Sequence, residues 1–202
     1  MHLATLLSNI VNDTTLHAKW LNTLSFMENA GARKISASEH KEEVTVLILK
    51  HAAEEHRHAY YLKKQLAKLD DSLCKTYQNA ELLVPNHTRF YLNTLDVKVC
   101  RYLKQQFKLS GSDLKFAAYL FVTYAIEVRA DELYPIYQEV LTEHESKVTV
   151  KSIILEEEGH LEEMINQLNE FSSDWEEHAK EVVKIEEGMF VSWIKEMAAT
   201  LS

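Results

Sequence analysis

Three observations predict an all-helical fold. Glycine and proline are scarce, 4 and 2 in 202 residues, which leaves little punctuation for strands joined by tight turns. Apolar side chains recur at intervals of three and four along most of the chain. Hydrophobic residues make up 46% of the sequence, and no Ser/Gly/Pro-rich linker divides it, so residues 1–202 read as one domain around one core.

The elements follow in order. Leu3, Leu6, Leu7, Ile10, Trp20, Leu21, Leu24 and Met27 predict a first helix over about residues 3–35. Ser36-Ala37-Ser38-Glu39 then offers a capping-box start for a second helix, which carries Val44, Leu47, Ile48, Leu62, Leu66 and Leu69 and ends near Asp70-Asp71. After a looser stretch containing Pro85, an amphipathic helix from about His87 to Phe107 belongs to the crossover between two halves, and Ser110-Gly111-Ser112 interrupts it. A third main helix is expected from about Asp113 to Leu141 and a fourth from about Ser146 through Leu168. A last amphipathic helix holds Trp175, Val182, Ile185, Phe190, Trp193 and Met197.

The formal charge of -9 argues against a general affinity for nucleic acid or an anionic membrane surface. No basic leader precedes the first apolar residues and no apolar run is long enough to span a bilayer, so a soluble, cytoplasmic protein is expected. Cys74 and Cys100 form no ligand-like cluster and are expected as idle buried thiols in a reducing compartment.

Chemistry enters where charged residues fall on faces that should be apolar, because burying an unpaired carboxylate is costly. Glu28 follows Leu21 and Leu24 at seven and four, and Glu127 follows Leu120 and Tyr124 at seven and three. Glu55 lies seven after Ile48 and seven before Leu62, while Glu157 lies three after Ile154 and seven before Met164. Three residues beyond Glu55 and Glu157 stand His58 and His160, and that spacing puts each pair on one helix face. The lone glutamate precedes its Glu-x-x-His by 27 residues in the first half and 30 in the second, as neighbouring antiparallel helices require, so the chain reads as a duplicated helix pair. Four carboxylates balance two divalent cations, and oxygen-rich ligation with one imidazole per metal suits iron or manganese. A set of core salt bridges is the ordinary alternative, but few lysines or arginines occupy the matching faces.

The order Glu, Glu-x-x-His, Glu, Glu-x-x-His resembles the ferritin-like di-iron carboxylate superfamily over about residues 3–170. That superfamily includes bacterioferritin, rubrerythrin, the ribonucleotide reductase small subunit and di-iron hydroxylases, and the motif marks no single branch. The resemblance implies a four-helix bundle with a helix-containing crossover between its second and third helices and an extra C-terminal helix. It implies two iron ions, with manganese as the alternative, bridged by Glu55 and Glu157. Glu28 and His58 complete one metal and Glu127 and His160 the other. Glu54-Glu55-x-Arg57-His58 looks like the form in which the acid before the ligand orients a histidine, which makes Glu54 and Glu156 candidates for that role. Glu127 and Tyr134 match the Glu-x6-Tyr of rubrerythrin-like proteins, whereas the corresponding residue after Glu28 is Ile35.

Some assignments stay open on sequence alone. With the first turn at residues 36–38, Glu28 and Glu55 sit at different depths, and His17 matches Glu55 better; charge neutrality still favours Glu28. His51 reads as a hydrogen-bonded core histidine on the ligand face, and Asp131 and Tyr134 read equally as supporting or as surface residues. The function expected first is dioxygen or peroxide chemistry on an unknown small organic substrate, hydroxylase-like, because the 69 positions from His58 to Glu127 leave room for an inserted helix. A ferroxidase or iron-storage protein is the alternative, and a non-catalytic helical binding module a further one. With no rubredoxin-like cysteine cluster, the electron donor is expected to be external. The chain is expected to form a homo-oligomer.

Overall fold

The computed structural model describes residues 2–43 and 45–201, and no strand occurs among them. Seven α-helices follow one another: α1 (Leu3–Val11), α2 (Thr14–Ser38), α3 (Val46–Leu66), α4 (Pro85–Phe107), α5 (Gly111–Glu143), α6 (Lys151–Phe171) and α7 (Trp175–Thr200). One short 3-10 turn lies at Asn79–Glu81. None of the helices is long and apolar enough to cross a membrane. Leu6, Leu21, Ile48, Leu95, Leu120, Ile153 and Trp193, one from each helix, belong to a single hydrophobic core.

The expected first helix is two. Its apolar stripe runs on without a gap, but Asp13 caps a new helix by accepting from the backbone N–H groups of Thr15 and Leu16 at 2.8 and 2.9 Å. A short acid in that position satisfies donors that the helix start leaves free. Ser36 and Ser38 correct the next boundary. Their hydroxyls donate back to the carbonyls of Ala32 and Ile35, so they extend α2 rather than cap α3. The chain then needs residues 39–45 to turn, and Val44, expected on the apolar face of the second helix, lies outside the described residues. α6 begins later than expected because α5 ends in a left-handed closure. Glu145 has φ 49°, and the Ser146 N–H reaches back to the Leu141 carbonyl at 2.9 Å.

α2 packs along α3 and α5 along α6, while α4 lies against α5, α7 and α2. The turn at 39–45 leaves Glu28 ten residues before the end of α2 and Glu55 nine residues after the start of α3. Two adjacent antiparallel helices therefore present these side chains at one depth, and the depth mismatch expected from a turn at 36–38 disappears. Replacing Asp13 with Ala should cost about 1 kcal/mol of stability in chemical denaturation, through loss of the α2 cap alone.

Candidate metal centre

α2, α3, α5 and α6 contribute one acidic residue each to a shared space, Glu28, Glu55, Glu127 and Glu157. Ligand atoms of Glu55, Glu127, Glu157 and His160 lie within 4.8 Å of one another, and so do those of Glu28, Glu55 and His58. Glu55 belongs to both groups. Glu157 borders both as well, since its Oε1 lies 3.1 Å from His58 Nδ1. All six residues expected as ligands thus converge, and five of them are no more than 8% exposed, with Glu28 half-buried.

The imidazoles are held from outside. His58 on α3 meets Glu156 of α6 (Nε2 to Oε2, 2.7 Å), and His160 on α6 meets Glu54 of α3 (2.8 Å). Each outer carboxylate takes an Nε2–H and leaves Nδ1 as the atom turned toward the acidic space. His58 Nδ1 is buried and has no hydrogen-bond partner, because Glu157 is near it without the alignment a hydrogen bond needs. A buried imidazole nitrogen left over in a ring of carboxylates is the donor set a borderline cation would complete, so the residues fit a metal pair. Outside the pair, Arg57 bridges Glu156 and Glu54 and closes the ring at the surface.

The four acids are unequal. Burial, then the charge of Glu28, pushes Glu55 well above the usual carboxylate range. Burial and the neighbouring Glu157 do the same to Glu127. Burial also acts against ionised Glu157, but hydrogen bonds from Glu127 and His160 and the charge of His58 3.1 Å away outweigh it and carry Glu157 below its ordinary value. Burial works against the charged form of both histidines too; the negative charge of Glu28 and Glu157 with the bond to Glu156 raises His58, and the bonds to Glu157 and Glu54 raise His160. Without metal, Glu157 is therefore the acid held toward its anion between the two imidazoles, while burial and like charge favour the protonated forms of Glu55 and Glu127.

His17, weighed against Glu28 as a ligand, stands elsewhere. It is buried, its Nε2 is 2.7 Å from the Tyr137 hydroxyl, and it belongs to neither ligand group. His51 is the hydrogen-bonded core histidine expected, between the Tyr119 hydroxyl at 2.9 Å and Glu163 at 2.8 Å. Asp131 is exposed. Tyr134 is not a surface residue; it is 2% exposed and its hydroxyl donates to Glu28. Ile35, its counterpart in the first half, is buried and apolar, so this support exists on one side only. Both thiols are free, but only Cys74 is buried, and Cys100 is half-buried.

One buried acid escaped sequence reading. Glu186 on α7 is 1% exposed, held by Arg129 Nε and Nη2 at 3.0 and 2.7 Å and by the Tyr91 hydroxyl at 2.5 Å. The stripe test that finds the ligands would have found it, since Val182, Met189, Phe190 and Trp193 lie four before and three, four and seven after it. Its partner is a cation, and it is a structural ion pair.

A cavity of about 360 Å³ adjoins the centre between α2, α4 and α5, with Glu28, Glu55 and Glu127 on its wall. Comparison with protein-family models, curated proteins and solved structures gave no match.

The inequality of the acids gives an ordered outcome at pH 7. In metal-free protein, Glu55→Gln and Glu127→Gln should melt above the wild type, because folding no longer has to hold a proton there. Glu157→Gln should melt below it, having removed the anion shared by two imidazoles. The hydrogen bonds that Glu157 accepts separate it from Glu55.

His17 supplies a second, pH-dependent outcome. Burial lowers it to about 4, so its contribution is fully present above pH 6.5 and is lost as the pH falls toward 4. Across that window the wild type should lose about 3 kcal/mol more stability than His17→Gln, which does not titrate there. Equal slopes in denaturation measured at several pH values would refute this.

Proposed function

We propose that this chain is a ferritin-like di-iron protein, with manganese as the alternative metal, that activates dioxygen or peroxide to oxidise a small organic molecule. The observation that carries the reading is a convergent quartet of glutamates, three buried and Glu28 half-buried, joined by two histidine Nδ1 atoms, with no lysine or arginine paired to any of the four among the described residues. Two divalent cations would neutralise that set, held by Glu28, Glu55, His58, Glu127, Glu157 and His160. When bound, a pair of ferrous ions supplies the electrons that dioxygen needs and that no protein side chain donates readily.

The chain's own residues do the remaining work. Glu54 and Glu156 fix the imidazole tautomers, and Arg57 holds those two acids. Tyr134, held protonated by burial and by the charge of Glu28, donates its hydroxyl to Glu28 and orients that carboxylate. Burial limits competing water. If the substrate takes one oxygen atom into a C–H bond, the second oxygen atom leaves as water, and two electrons and two protons come from an external donor.

The cavity favours an organic substrate over stored iron. A ferroxidase needs a path for hydrated cations to its carboxylates, whereas this approach passes apolar side chains of α2, α4 and α5.

Elemental analysis after iron-replete expression should find about two metal ions per chain. His58→Ala and His160→Ala should each lose at least one. His144→Ala should lose none, because His144 sits at the end of α5 and is 2.7 Å from the Ser8 hydroxyl, away from the centre. A chain that stays metal-free, or three variants with equal loss, would overturn the reading.

A further inference from the structure

The space beside the carboxylates has a definite chemistry. Leu24 and Met27 of α2, Leu95 of α4, and Val122, Ile126 and Leu133 of α5 form its wall. Gly31 stands one turn after Glu28, where an added methyl group would come 3.9 Å from Glu55 Oε2. The missing side chain keeps the cavity open to the acidic floor.

Arg129 and Lys34, the two cations nearest the floor of this space, are already paired. Arg129 reaches it but is bound by Glu186 through two of its nitrogens. Lys34 pairs with Asp96 and donates to the Leu92 carbonyl, and both members of that ion pair are about one-third exposed, at 34% and 36%. Lys34, Asp96 and Cys100 therefore lie at the rim, with exposed Lys115 beside them, and the floor is acidic. In the metal-free chain a carboxylate pushed inward would approach Glu28, Glu55 and Glu127 with no unpaired lysine or arginine at that depth among the described residues.

We infer that the cavity binds the uncharged, hydrocarbon end of the substrate, with any polar group left at the Lys34–Asp96 rim. This rests on the di-metal oxidation reading and specifies its substrate class. An apolar cavity of about 150 Å³ admits benzene, so 360 Å³ takes roughly a dozen non-hydrogen atoms. The substrate is a medium-length alkyl or bicyclic aromatic skeleton, and Gly31 sets how far it reaches toward the floor.

Octanol and octanedioate test this on the full chain, with and without metal, read by thermal shift and by protection of Cys100 from maleimide. Cys74, buried at 7% exposure, is the internal reference. Octanol should raise the melting temperature and protect Cys100. Octanedioate must bring one charge inward whichever way it enters, and should bind the metal-free chain, on which the comparison of the two ligands is made, at least about tenfold more weakly. Gly31→Leu fills the inner end of the cavity, and Ala118→Phe fills it from α5 without touching a ligand. Each folded variant should lose the octanol effect, and Ala118→Phe should keep its metal. Tight octanedioate binding, or octanol binding unchanged in a folded variant, would overturn the inference. Two bound metals with no octanol binding would sink the cavity assignment alone. Octanol binding without metal uptake would sink the di-metal reading alone.

Discussion

Four carboxylates, three of them buried and Glu28 half-buried, share one space, and among the described residues no lysine or arginine is paired with any of them. Every other feature of the site answers that constraint. An ionised acid out of water must find opposite charge, accept hydrogen bonds or take up a proton. Here Glu157 accepts hydrogen bonds, and Glu55 and Glu127 are driven toward the protonated form. A folded chain that places like charges together gives up stability to do so, and such placement persists where something else repays it. A pair of cations repays it directly, which is why the four acids argue for metal more strongly than the two histidines do.

The outer ring shows how two helices whose backbones keep apart are held in register. α3 and α6 face each other across the acidic space, and each supplies both a histidine and the glutamate that orients the other's histidine. Displacing one helix along its axis would break both bonds together, so position and tautomer are set by one reciprocal device. Arg57 adds a cation at the edge, where water lowers the cost of holding it. The two halves diverge where only one of them needs an extra group. Tyr134 reaches Glu28 from α5, and Ile35 packs as core in the equivalent place.

The helical class and all six convergent residues were legible in the sequence because both depend on side-chain period. A charged residue on an apolar stripe is visible without knowing what it meets. The boundaries were less legible, and for a local reason: Ser36 and Ser38 can either cap the next helix or bond back into the last one, and tertiary context chose the second. That choice moved the turn to 39–45 and decided between Glu28 and His17. Asp13 was readable as a cap but was hidden by a stripe that continues on both sides of the break. The cavity was not readable at all, since a void belongs to three helices at once and to no one period.

Glu186 marks the limit of the stripe test and also what completes it. It lies on the apolar face of α7 as plainly as Glu28 lies on that of α2, yet Arg129 reaches it through two nitrogens and Tyr91 adds a hydroxyl. The same residue type in the same pattern therefore has two physical outcomes, an ion pair when a cation of the chain enters the core beside it and an uncompensated acidic cluster, the candidate metal centre, when none does. The two outcomes lie close together, for Arg129 is two residues from Glu127 on α5. With Arg129 bound to Glu186, its charge is kept from the carboxylates that line the same cavity. Were Arg129 free, it could neutralise one of them and leave less negative charge for a cation to balance. The α7 acid thus shapes the acidic cluster without touching it, and the C-terminal helix bears on the charge of the candidate centre as well as on the packing.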